Sequence, residues 1–498
     1  MNAEEPKIPV PIPSSAAQIK QALETSFNGS FDFKIKQFEN DTVLMAFLEG
    51  FVNKELVSAA VVRPIIHVIG EIEAGERNKK TIAYVKSKIT SACGTMELTD
   101  FNDCILSILA GCTIVFVDGD ATGLKIDLRD PEKRSIEESP SEAVSRGSRE
   151  GFTETLMTNT SMLRRIIKDS NLVFEKTQVG RVTKTNVAIC YLKGLANQEI
   201  IDEVRKRVRN IKTEAILETG YIEEEIEDAP LSIFPTIFNS ERPDAIAGKI
   251  LEGRVAILCE GTPSVLTVPN LFVDYLQYSE DYNNRWVFSG IIRFSRFIAF
   301  LISTMAPAYY IALLSFHQDV IPFKLLLTIM KDRKGVPLSP LVETLVLLLL
   351  FEIIKESGLR MTRAIGQSVS IVGGLIVGQA AVEAGMASTP AVVVVAAASV
   401  CAFVVAKLDA PVFIMRVSLM FIANSIGILG VVLGSIGFLI YMTSLKSFGV
   451  PYFSPIAPLD GHDLQDTVLR LPLWTMLRRP ETITRRYGKN DLRNKRND

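Results

Sequence analysis

The chain has 498 residues, 48% of them hydrophobic and 22% charged, with 54 Lys+Arg against 56 Asp+Glu for a net charge of −2. That length leaves room for roughly two to four domains. The balanced charge, with no basic patch interleaved with aromatics, argues against a nucleic-acid partner. The six cysteines (Cys93, Cys104, Cys112, Cys190, Cys259, Cys401) form no C-x-x-C pair and meet only three histidines, so no zinc site, disulfide framework, metal or cofactor is expected.

Met1 to Ser15 is polar and Pro-rich, and the first 40 residues lack the basic and apolar regions of a secretory signal peptide. Residues 1–31 are therefore expected to be a disordered lead, and the N-terminal part to stay in the cytoplasm. Asp32 to Lys36 alternates, Thr42 to Leu48 (TVLMAFL) reads as a buried strand, and a helix follows over roughly 53–69. Asp103 to Gly111 reads as a helix, Cys112 to Val117 as a strand, Asp118-Gly119 as a tight turn and Thr122 to Leu128 as the returning strand. These make a first α/β lobe over 32–135. A charged connector leads to a second α/β lobe over 136–290, with helices over 152–168 and 196–211, a strand over 187–192, and a hairpin of Gly253 to Cys259 with Val265 to Val268.

Long uncharged runs follow, and about 20 apolar residues suffice to cross a bilayer. A transmembrane helical domain is expected over 291–446, with about four spans at 297–316, 364–382, 385–406 and 417–445, then a basic cytoplasmic tail over 447–498. Pro337 to Ser357 carries Glu343 and Glu352 around TLVLLLLF and is expected to be interfacial or re-entrant, because carboxylates are costly in a bilayer. From Arg478 to Asp498 eight basic residues face three acidic ones, which keeps the tail cytoplasmic by the positive-inside rule. Four spans place both termini inside but put Lys331, Arg333 and Lys334 outside, against the same rule.

One face of the 364–382 run is small and partly polar: Gln367, Ser370, Gly374, Val377, Gly378 and Ala381 share a stripe at helical spacing. Gly374 and Gly378 form a G-x-x-x-G pair suited to close helix packing, and the same stripe could line a pore. In the soluble part Arg146, Arg149, Arg164, Arg165 and Arg181, with Gly147 and Gly151, could cradle an anion. Structural pairing, Arg149 with Glu150 or Arg164 with Glu154 across a subunit contact, is the plainer use. The chain has no P-loop, no G-x-G-x-x-G after a strand, no H-E-x-x-H and no G-x-S-x-G, so an enzyme is not expected.

Several ordered motifs carry a resemblance. Arg146-Gly147-Ser148-Arg149-Glu150-Gly151-Phe152-Thr153-Glu154, Asn159, Leu163-Arg164-Arg165, Gly180-Arg181, Glu241-Arg242-Pro243-Asp244, Leu251 to Ala256, Gly261-Thr262-Pro263 and Glu280-Asp281-Tyr282 resemble the GerA-type spore germination proteins, A subunit. So do Phe316-His317-Gln318, Ser370 to Gly373, the run from Ile376 to Gly385, Pro472-Leu473-Trp474 and Arg478-Arg479-Pro480. Ser148, Ser240 and Glu260 stand where that family usually has Pro, Thr and Asp.

The resemblance implies a membrane subunit of a nutrient germinant receptor in the spore inner membrane. It would act beside a transporter-like B subunit and a lipoprotein C subunit and self-associate into an ion channel. Arg146, Gly147, Arg149, Glu150, Arg164, Arg165, Glu241, Arg242, Pro243 and Asp244 are its structural or interface positions. A channel paralogue that senses no nutrient, or a single-chain secondary transporter with a regulatory domain, remains the alternative. A transporter should show repeats between the halves of its bundle, and none is visible.

Overall fold

The computed structural model describes residues 9–38, 42–73, 82–89, 94–128, 146–360 and 378–459, with 461, 463–472, 474, 475 and 483 beyond them. They fall into two compact units: one of residues up to 270 except 231–236, together with the described residue beyond 477, the other of 231–236 and 271–477. The helical unit thus begins at Leu271 rather than at 291.

The first unit holds two five-stranded sheets. The first contains β1 (Phe33–Phe38), β2 (Val43–Leu48), β3 (Thr95–Leu98), β4 (Thr113–Val117) and β5 (Gly123–Ile126) in the order β1-β2-β4-β5-β3. The second contains β6 (Leu172–Val179), β7 (Thr185–Leu192), β8 (Phe238–Ser240), β9 (Val255–Cys259) and β10 (Val265–Val268) in the order β6-β7-β9-β10-β8. Every adjacent pair with a described register is antiparallel. The two orders are one connectivity used twice: a leading helix, a hairpin, helices, a strand, a helix and a second hairpin. The leading helices are Ala16–Ser26 and Leu156–Ile166.

Central strands β2 and β4 are apolar at nearly every position because helices cover both faces of the first sheet. Side chains alternate between faces. Val43, Met45, Val115 and Val117 join a core with Val61, Ile65 and Val68. Leu44, Ala46, Ile114 and Phe116 join another with Ile19, Leu23, Phe101 and Ile108. The lead expected to be disordered over 1–31 is therefore corrected. Ala16, Ile19 and Leu23, at helical spacing, make the buried stripe of an 11-residue helix, and Phe27 after it is also buried. Polar residues dilute the stripe and the Pro-rich stretch precedes it, which hides it in the sequence.

Burying Ile19, Leu23 and Phe27 contributes about 1.5–3 kcal/mol each, together comparable with the whole stability of a domain. A fragment over 9–270 is expected to unfold in one cooperative thermal transition, whereas one starting at Asp32 should give none. A sharp transition in the shorter fragment would remove the helix from the core.

The second unit is helical. Trp286–Phe316 has 31 residues, about 46 Å at 1.5 Å per residue. Among the described residues it is the one helix long and apolar enough to cross a membrane, or one of two if Thr389–Val404 and Ala406–Ile426, bent by 107° to each other, count as a single span. Pro340–Arg360 is an unbroken helix of 21 residues. Ala308, Ile311 and Ala312 meet Leu348, Ala391, Val395, Leu419 and Ala423 in the core of the unit.

The expected span over 417–445 is corrected to two helices, Asp409–Ile426 and Ile428–Ser444, which meet at Gly427 with φ +74°. A Cβ there would lie 2.8 Å from His317 and 3.1 Å from Phe316, so a glycine is required. The expected span over 385–406 is a 16-residue helix starting at Thr389. The supposed tail is corrected as well. Lys446–Ser447 pairs with Val450–Pro451, and Tyr452, Phe453 and Ser454 are buried, so the unit continues past 447.

Candidate functional site

The arginine-rich and turn motifs of the α/β unit come together at the start of the 156–166 helix. The Phe152 N–H donates to the Glu241 carbonyl at 2.8 Å, and the Gly261 N–H to the Glu154 carbonyl at 2.7 Å. Glu260 Oε1 lies 3.5 Å from the Leu156 N–H at the first turn of the helix. Arg242 grips Asp244 at 2.7 Å and donates to the Ser148 carbonyl at 3.1 Å. Pro243 opens the 243–251 helix at a position where its missing N–H costs nothing.

The first sheet builds the same junction. Gly119 N–H donates to the Ser14 carbonyl at 2.7 Å, and Asp118 accepts from the Ala16 N–H at 3.0 Å. Gly119 and Gly261 have φ of +92° and +90°, which glycine adopts without strain. In each lobe, then, the turn of the last hairpin holds a carboxylate against the leading helix. These residues build the fold.

Arg164 is 1% exposed and Asp32 5%. The guanidinium makes a two-pronged contact with Asp32 at 2.9 and 3.0 Å, and also donates to Ser30 Oγ and the Asp169 carbonyl. Asp32 leads into β1, and Phe31 N–H bonds the Phe174 carbonyl of β6, so this pair ties one lobe to the other. The expected partner Glu154 is thereby replaced by Asp32, 132 residues away. Arg165 pairs with Glu150 at 2.5 Å, and Arg181 pairs with Glu214. The arginines are spent on separate carboxylates, so Arg164, Arg165 and Arg181 form no common anion cradle. Arg146, Gly147 and Arg149 lie at the start of the same motif segment, and both arginines have partners.

The helical unit buries ionisable groups among apolar helices. Glu343 is 1% exposed. Its Oε2 is 2.9 Å from Arg333, and its Oε1 accepts from the N–H and Oγ of Ser388, which precedes the 389–404 helix. Tyr310 lies 3.2 Å from Ser388 Oγ. A carboxylate at a helix N-terminus is stabilised by the exposed N–H groups there.

Arg416 is also buried, and donates to the Ser303 carbonyl at 2.6 Å and the Ala398 carbonyl at 3.3 Å. Pro307, four residues after Ser303, has no N–H to offer that carbonyl. Beside Arg416, Lys355 binds Asp409 at 2.7 Å and also pairs with Glu352. At the near end of the 286–316 helix, Arg293 and Arg296 hold Asp281 at 3.2 and 2.7 Å, and Arg293 reaches Asp466 at 2.6 Å. Glu343 and Glu352 stand out in the sequence. Arg416 does not, and the one available signal is a proline inside an apolar run that frees a carbonyl. Among the described residues no group of three or more His, Cys, Asp or Glu could hold a metal.

Of the candidate pore-lining residues, Gln367, Ser370, Gly374 and Val377 lie outside the described residues. Gly378 and Ala381 are described and pack within the chain. A Cβ on Gly378 would sit 3.3 Å from Val392, and Ala381 packs on the unit's core. Those two positions therefore serve helix packing.

An α/β unit with a doubled sheet, followed by a helical unit with paired charges in its interior, defines a two-part protein whose helical half is held together by both apolar and ionic contacts. The chain belongs to the Bacillus/Clostridium GerA spore germination protein family, whose description it matches over residues 20–482. It is 37% identical to the Bacillus subtilis spore germination protein KA, over 98% of this chain and 91% of that protein. It is 37% identical to the Bacillus subtilis uncharacterized membrane protein YfkQ, over 96% and 93%. The Bacillus cereus spore germination protein GerLA is 35% identical over 88% and 89%. The crystal structure of the N-terminal domain of the A subunit of the Bacillus megaterium spore germinant receptor GerK3 matches at 30% identity and a TM-score of 0.41, covering 53% of this chain and 99% of that one.

Proposed function

We propose that this chain is the membrane-embedded A subunit of a nutrient germinant receptor in the spore inner membrane. It works beside a transporter-like B subunit and a lipoprotein C subunit, and copies of it gather around the 364–382 segment to form an ion path. The observation that carries the membrane half of this reading is the burial of Glu343 against Arg333, and of Arg416 on the Ser303 and Ala398 carbonyls, inside an apolar helical unit. Ionisable groups in a membrane bundle face its interior, pair with one another and mark working sites.

The ion pairs of the 340–360 helix remove the objection to it as a span, since Glu343 meets Arg333 in the interior and Glu352 and Glu356 pair with Lys355 and Arg360. With that helix crossing and Gly427 dividing the 417–445 run, six segments cross: 286–316, 340–360, 364–382, 389–404, 409–426 and 428–444. Both termini then stay cytoplasmic, as the basic tail requires.

The test uses spores lacking the gene. They should lose both germination and early cation release in response to at least one nutrient, and regain both on complementation. Unchanged responses across a nutrient panel would sink the receptor reading.

A further inference from the structure

The Phe323–Arg333 helix sits almost bare on the helical unit. Phe323 is 71% exposed, Leu325 53%, Leu327 51% and Met330 55%, while Ile329 is its one fully buried residue. Beneath it lies a cleft of about 540 Å³ with an apolar floor that includes Leu314, Leu326 and Ile329 and an edge carrying Lys331, Arg333 and Lys334. Arg333 is held by Glu343. Lys331 and Lys334 are exposed, and no ion pair engages either of them among the described residues.

An apolar cleft with unneutralised cations at its rim matches a molecule with a hydrocarbon end and an anionic head. Clustered lysines at a membrane surface favour anionic lipid, and exposed large apolar residues on a short helix favour the boundary between head groups and acyl chains. We propose that this cleft binds an anionic phospholipid, with an acyl chain against Leu314, Leu326 and Ile329 and the head-group phosphate between Lys331 and Lys334. The inference rests on the membrane reading of the helical unit. It also accounts for a basic cluster on the side of the membrane where the positive-inside rule does not put one.

The experiment compares spin-labelled phosphatidylglycerol with spin-labelled phosphatidylcholine bound to the full chain in vesicles of mixed composition. The protein should prefer phosphatidylglycerol, and the pair Lys331→Gln with Lys334→Gln should lower that preference about tenfold. Leu326→Trp, which fills the floor and keeps the charges, should weaken retention of both labels. Lys446→Gln, an exposed charge elsewhere on the unit, should change nothing.

Three results of the lipid-binding comparison overturn the proposal. One is an unaltered preference in the double variant, and another is an equal loss with Lys446→Gln. The third is full displacement of the label by millimolar inorganic phosphate, which would make a free anion the ligand. Efficient disulfide linkage of copies through Met330→Cys, with no lipid preference, would assign the face to a second copy instead. Release of the wild-type chain from membranes by alkaline carbonate would refute the membrane reading itself, so the two failures are distinguishable.

Discussion

Replacing Asp32 with Ala is expected to destabilise the α/β unit by about 3–5 kcal/mol, because it leaves the Arg164 guanidinium buried without a counter-charge. In a unit of this size that lowers the thermal midpoint by roughly 6–20 °C. Arg164 is 1% exposed, so solvent cannot substitute for the lost carboxylate. Asp32→Asn keeps one acceptor and should lose less. The double change Asp32→Leu with Arg164→Met should recover much of the loss, since apolar groups can replace a buried pair. Thermal denaturation of the 9–270 fragment measures all three. A midpoint for Asp32→Ala within 2 °C of wild type would show that the pair does not join the lobes.

The second large effect concerns Val377. Helical spacing places it about 100° round the axis from Gly378, and Gly378 faces Val392 within the chain. Val377 lies outside the described residues; if the run is helical, its seven-residue spacing puts it on the same flank as Ser370. If copies line a path with this flank, a ring of Val377 closes it by excluding water. Val377→Ser should then raise cation release from unstimulated spores, and each 1.4 kcal/mol taken off the barrier is worth about tenfold in rate. Leu375→Ala should mainly affect packing. Gly378→Leu, which must push Val392 aside, should lower the amount of assembled protein. Baseline release at the wild-type level from spores with normal amounts of Val377→Ser protein would refute the gate.

The strands of the α/β unit were legible because their apolar content is local: TVLMAFL and CTIVFV announce β2 and β4, and the turns after Val117 and Cys259 announce two hairpins. What joins them was not. The shared connectivity of the two sheets is a property of strand order, which no local pattern records. Arg164 meets Asp32 across 132 residues of chain, and a closer carboxylate, Glu154, offered itself as the simpler partner. In the helical unit the apolar runs were plain, but Gly427 was one glycine among several in such a run. Only its approach to His317 and Phe316 shows why the helix must stop there. The motif residues read in the sequence as structural or interface positions, and the convergence of several of them on the 156–166 helix depends on contacts far apart in sequence.

The strand order repeated in both lobes also decides which strands are left with unpaired backbone on one side. β3 and β8 are four and three residues long, too short to template another chain. β1 presents Lys34, Lys36 and Gln37, and β6 presents Lys176 and Gln178, at exposed positions. Short or charged rims of this kind resist strand addition. If copies gather as proposed, their α/β units sit at high local concentration, the condition under which sheets fuse end to end into fibres. Such rims would then let neighbouring copies touch, slide and separate through helices and loops while each sheet stays its own.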